Sequence, residues 1–226
     1  MTWCYKYLPA IALVLGIWLT SGCTPAPSTD TDAPTASEYT PTTSRPQDVG
    51  ARLTGPAVFT VDARSKELWM YFDFSRASVV GVQNPKTDAW DIAFQRHTMR
   101  TNGGATNPSG QAAVLALPHK DLAAVTRVPA EAEFVADVQT KKRLHPYNPA
   151  LQKWYNYSYT TNVLIPKSEV YIVRTQDGKY AKMRILSYYC KGDEAGCMTF
   201  EYVYQGDGST TFTAPAAQLS YHLTPR

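Results

Sequence analysis

Charge, cysteine and histidine are all scarce in this 226-residue chain. Asp, Glu, Lys and Arg make up 18% of it, below the roughly 25% usual in soluble domains. The four histidines, His97, His119, His145 and His222, never fall in an HExxH or HxH spacing that would set two metal ligands on one face. GxSxG elbows, Walker loops and GxGxxG turns are all missing. Acidic residues occur singly in the apolar runs, so no carboxylate pair is marked for acid–base work. Gly206-Asp207-Gly208 lacks the regularly spaced carboxylates of a calcium loop and reads as a turn. The chain is therefore expected not to be an enzyme. Residues 51–226 hold 20 Lys and Arg against 15 Asp and Glu, a net +5. This is too weak a bias to predict a nucleic-acid partner, and Lys141-Lys142-Arg143 reads as a solvated loop.

Long hydrophobic runs are equally scarce. The one that stands out, Leu8–Leu19, follows a single charge at Lys6 and precedes the small residues Ser21-Gly22 and then Cys23. Twelve residues suit a signal peptide and fall short of the ~20 that span a bilayer as a helix. Cleavage before Cys23 leaves that residue first in the mature chain, the arrangement of bacterial lipoproteins. Thr20 stands where such motifs usually carry Leu. Residues 1–22 are thus expected to be a signal peptide, and Cys23 the lipidation site. Acyl chains anchor through about 0.8 kcal/mol per buried CH₂. The chain is expected to be exported and held on a bacterial membrane, most simply the outer one.

Residues 24–50 are dominated by Pro, Thr, Ser and Asp. With so little to bury they are expected to form a disordered tether that lifts residues 51–226 off the membrane. Of the four cysteines, Cys4 lies in the leader and Cys23 takes the lipid. Cys190 and Cys197 remain, bracketing a polar turn between two apolar runs, and an oxidising compartment predicts a disulfide between them.

The rest of the chain repeats with period two, which predicts strands. Ala57–Val61 reads as a short strand and Asp62–Lys66 as the turn of a hairpin. Glu67–Phe74 alternates Trp69, Tyr71 and Asp73 with Met70, Phe72 and Phe74, as a strand covered on both faces does. Trp90, Ile92 and Phe94 share one face, ended by Asn102-Gly103-Gly104, which supplies the positive φ of a tight turn. Further strands are expected over 111–117, 154–159, 169–174, 179–189 and 198–205, with an Asp-Gly hairpin at 177–178. Pro118, Pro129, Pro146 and Pro149 break 119–150 into loops, and irregular segments on a rigid scaffold are where binding concentrates. The fold class is all-β: one domain of nine or more mostly antiparallel strands, with little helix.

Three stretches carry a family signature. Trp90-Asp-Ile-Ala-Phe-Gln-Arg96 with Arg100-Thr-Asn-Gly-Gly104, Val170–Arg174 with Asp177–Lys182, and Met198–Tyr204 resemble, in order and spacing, the HmuY-like lipoproteins. Trp69–Phe74 matches the opening strand, and the likeness runs over about 57–205. The resemblance implies an outer-membrane-anchored, all-β haem carrier that supplies a membrane receptor. In the best-known members two histidines from loops in the middle of the domain hold the iron, and others use Met. Here the corresponding region offers His145 and no second His. Tyr157 is the other candidate iron ligand, since tyrosinate also ligates haem. Tyr147, Trp154, Tyr155 and Tyr159 are candidate pocket walls, while His97, inside the fold motif, is expected to be structural. The alternative is a surface lipoprotein of the same fold that binds no haem and takes a protein or other ligand through 119–160.

Overall fold

A computed structural model describes residues 37–118 and 121–213. The leader, Cys23, residues 24–36, His119 and His222 lie outside the described residues. In chain order the strands are β1 (Leu53–Asp62), β2 (Met70–Asp73), β3 (Ser78–Val80), β4 (Ile92–Gln95), β5 (Thr98–Thr101) and β6 (Ala113–Pro118). They continue with β7 (Tyr155–Ser158), β8 (Val163–Pro166), β9 (Glu169–Arg174), β10 (Tyr180–Tyr189) and β11 (Ala195–Gln205). The one helical piece among the described residues is the 3-10 turn Phe74–Arg76. The protein is all-β.

Two antiparallel sheets build the core. One has the order β1-β11-β10-β9-β6, the other β3-β2-β4-β5, and β7 and β8 form a separate hairpin. Alternation along the strands decides what each side chain meets. From β11, Met198, Phe200, Tyr202 and Tyr204 join Phe72, Phe74, Ile92 and Phe94 of the smaller sheet in the main core. Ring pairs such as Phe72–Phe200, 5.1 Å apart and edge to face, and Phe94–Phe200, 5.5 Å apart and stacked, tie the sheets together. The opposite face of the larger sheet contributes Val170, Ile172 and Val203 to a smaller core beneath Leu122, Val125, Val128 and Phe212. Lys182, 4% exposed, reaches across this second core and donates from Nζ to the carbonyls of Leu122 (2.7 Å) and Val125 (2.8 Å).

Several expectations change in detail. Asp62–Lys66 is not a hairpin turn: β1 pairs with β11 while β2 pairs with β3 and β4, so the chain crosses between sheets there. The crossing is fixed by Ala63, which donates to Gly196 O (2.8 Å) and accepts from Arg96 N (2.8 Å). Strands β3, β5 and β8 are too short, or too polar, to show a period of two. The segment read as a tether as far as residue 50 lies on the domain from Ser37 on. Ser37 and Gly192 exchange backbone hydrogen bonds of 2.8 Å. Thr42 donates to Thr60 O (2.9 Å), Gln47 to Arg76 O (3.0 Å) and Val49 to Ser75 O (3.0 Å). The Cys190–Cys197 disulfide is formed.

Irregular chain covers the sheet edges, which would otherwise present unpaired backbone groups. Thr42 lies along β1, residues 45–49 run beside Ser75–Ser78, and Val135 bridges Val114 of β6. The Asn-Gly-Gly turn sets up the cover of β5. Gly104 takes φ +57, and a Cβ on Gly103 would strike the Ala112 carbonyl. Asn102 donates to Trp90 O (3.0 Å) and accepts from Asn107 Nδ2 (2.8 Å).

Candidate functional site: the irregular segment and the side hairpin

The Pro-broken segment is anchored along the outer edge of β5 by one carboxylate. Asp137 accepts from Thr101 N at 3.0 and 2.9 Å, Thr101 Oγ1 (2.7 Å), Thr106 Oγ1 (2.6 Å) and Asn148 Nδ2 (3.1 Å). Burial nonetheless pushes its pKa above the ordinary carboxylate value. Asn148 N donates to Met99 O (3.2 Å), and the Trp154 indole donates to His97 O (3.0 Å). Between these anchors the chain bulges outward and carries Leu144 and His145, both exposed.

The side chains singled out in the sequence fall into three groups. His145 stands edge-on to Trp69, ring centres 6.3 Å apart, and its ring nitrogens have no hydrogen bond among the described residues. Trp69 is in turn covered by the Arg100 guanidinium at 4.0 Å. Tyr147 is the second group, held under Arg143 at 4.2 Å. The third is the β7–β8 hairpin. There Tyr157 and Tyr159 pack edge to face at 4.9 Å, 41% and 86% exposed, and the Tyr157 hydroxyl donates to Asn162 Oδ1 (2.7 Å).

Two assignments shift. Trp154, 1% exposed with its N–H committed to His97 O, belongs to the core and supports Tyr155 from behind (4.9 Å) instead of facing a ligand. Tyr155 has His97 as a neighbour at 6.1 Å, and Tyr188 lies 6.3 Å from the same imidazole. His97 is solvent-accessible and carries no side-chain hydrogen bond among the described residues. Desolvation by its surroundings, then the charges of Arg143 and Arg96, hold its pKa below the ordinary imidazole value, which favours the neutral ring. Sequence reading placed it in a fold motif. Its position in the turn between β4 and β5, Gln95–Thr98, was the available signal.

Beside the hairpin opens a cavity of about 980 Å³, within the range of small-molecule sites and lined by Arg96, Asn162, Leu164, Tyr188 and Tyr189 among others. Its outer wall is the N-terminal segment Ser37–Tyr39. None of the six His, Tyr and Trp candidates lines it; the hairpin contributes Thr161–Leu164 instead. No group of three or more His, Cys, Asp or Glu among the described residues is arranged to hold a metal ion by itself.

Fold and site together define a class: an antiparallel two-sheet domain whose irregular middle segment and side hairpin present unpaired imidazole and exposed phenol groups. The family model for the HmuY protein matches residues 65–202, and the chain belongs to the HmuY family. Solved structures agree in fold. A candidate lipoprotein from Bacteroides fragilis is 25% identical, with a TM-score of 0.55 over 71% of this chain and 95% of that one. A candidate HmuY-like haem-binding protein from Bacteroides vulgatus is 24% identical, with a TM-score of 0.56 over 72% and 97%. The apo form of a HmuY analogue from Tannerella forsythia is 19% identical, with a TM-score of 0.56 over 70% and 99%. No curated protein matches the chain.

Proposed function

We propose that this protein is a lipid-anchored haem carrier of the HmuY type. It is acylated at Cys23, held on the outer membrane, and delivers haem to a membrane uptake system. One observation carries the reading. The family match over 65–202 takes in the irregular segment and the side hairpin, the two places where His145, Tyr157 and Tyr159 are exposed. The Bacteroides vulgatus protein of the same fold is a candidate HmuY-like haem-binding protein. The candidate side chains suit the group by their chemistry, each in its own one of three places. Haem needs an axial nitrogen, sulfur or oxygen ligand, and the His145 imidazole makes no hydrogen bond among the described residues that it would have to give up. Tyr157, whose hydroxyl now donates to Asn162 Oδ1, would be the second residue to hold the iron. Tyr147, Tyr155 and Tyr159 offer aromatic faces to a porphyrin, and Trp154 fixes Tyr155 in place. Haem when bound supplies the iron and its colour; the chain supplies ligation and shielding, with no catalytic step.

The test is a hemin titration of the full chain in detergent, followed by absorbance. A saturable Soret band at one equivalent is expected, and its absence overturns the proposal. The second reading, a protein or other ligand docking on 119–160 without haem, draws on Leu144 and Tyr159, which are 88% and 86% exposed. It gains if no Soret band forms. Acylation is read independently, as the mass of a lipid on Cys23 in the mature chain.

A further inference from the structure

We propose that a second cleft, walled by Arg127, Arg174, Phe134 and Tyr180, is a binding site for a small organic carboxylate with an aromatic body. It is a half-open groove of about 450 Å³ and shares no lining residue with the larger cavity or with the side chains assigned to haem. Its walls are built and held. Val128 N donates to Thr210 O and Phe212 N to Thr126 O, each at 2.8 Å, clamping the segment that carries Arg127. Arg174 donates from Nε to Gln111 O (3.0 Å), and its guanidinium sits 5.4 Å from the Phe134 ring centre. Phe134 and Tyr180 are 6.1 Å apart.

What the cleft holds ready is unspent donors. The terminal nitrogens of Arg174, and the whole guanidinium of Arg127, make no hydrogen bond among the described residues. The ion pairs found among those residues use Arg64, Lys167, Lys179 and Arg184 as cations. Glu131 and Glu133, on the same segment as Phe134, pair with neither arginine. Two cations lining one cleft repel each other, and an anion between them reverses that sign. A guanidinium fixed at Nε still presents its terminal N–H groups, and such forks match a carboxylate. The volume exceeds what a bare phosphate or sulfate fills, and the aromatic walls favour a ring behind the carboxylate.

The probe is 2-naphthoate, titrated into the full chain in detergent and followed by its fluorescence, with protein-free micelles as the blank. Saturable binding is expected. Arg127→Gln and Arg174→Gln should each weaken it by about tenfold, the loss of one charge-assisted hydrogen bond. Naphthalene-2-carboxamide, the same shape without the charge, should not bind. Arg127 is exposed, so its variant keeps the test valid even if Arg174→Gln fails to fold. The proposal is overturned by no saturable binding, by carboxamide binding as tightly as naphthoate, or by unchanged affinity in the Arg127 variant. Displacement of naphthoate by inorganic phosphate at equal concentration would likewise refute the ligand class.

Discussion

Asp91 sits at the joint between the two sheets. Its carboxylate accepts from Phe74 N (2.9 Å) and Gln176 N (2.8 Å), so one side chain ties the end of β2 to the β9–β10 turn. Burial, and then the neighbouring Asp73 carboxylate, push its pKa well above the ordinary 3.8. A raised folded value means that the native state binds this proton more tightly than the unfolded chain does. The stability from Asp91 is therefore fully present below the unfolded value and is lost as pH rises through the folded one. Asp137, shifted the same way by burial, adds to the same slope. Asp62, Asp88 and Asp177, with lowered values, slope the other way, so the contribution is read as a difference. Denaturant unfolding as a function of pH should show the unsubstituted chain losing stability relative to Asp91→Asn from the acid side toward neutrality. An unchanged slope in that variant would contradict the assignment. In the sequence Asp91, a lone acid on the face opposite Trp90, Ile92 and Phe94, reads as fixing a turn or an arginine, and the first of these is what its two backbone partners make of it. Asp137 was not legible: its Thr101 and Thr106 partners lie 36 and 31 positions away.

The β10–β11 connection works as a clamp at the scale of elements. The disulfide closes a loop with Cys190 and Cys197 seven positions apart, and Gly192 in that loop exchanges hydrogen bonds with Ser37. Ser37 Oγ also donates to Tyr189 O (2.7 Å). The loop thus fastens the N-terminal segment that walls the large cavity. Replacing both cysteines by serine should cost about 2–3 kcal/mol in denaturant unfolding and speed hydrogen exchange at the Ser37 and Gly192 amides. Unaltered exchange there would mean that the segment is held without the loop. Cysteine arithmetic made the pairing legible in the sequence, and the strong two-residue period did the same for β9, β10 and most of β11. The attachment of residues 37–50 was hidden. A Pro- and Thr-rich stretch holds little to bury, and it is fastened by backbone groups, the Ser37 and Thr42 hydroxyls and the single core residue Val49, which composition does not reveal.

Taken as a whole, the molecule is a two-sheet scaffold whose edges are closed by irregular chain, and the same irregular chain carries the groups that face outward. That division explains how the site could be read from the sequence only in part. The prolines of 119–150 marked where regular structure stops, so the region was legible. The grouping of His145 with Trp69, the burial of Trp154 and the pairing of His97 with Tyr155 depend on contacts across 57 to 76 positions of chain. The central claim, that haem is held from the irregular segment through His145, is tested most directly by the hemin dissociation constant of the full chain and of its His145→Ala variant, read from the Soret band. The account predicts a displaced band and affinity weaker by at least about tenfold in the variant, the loss of one axial ligand. An identical spectrum and dissociation constant in the two proteins would contradict it.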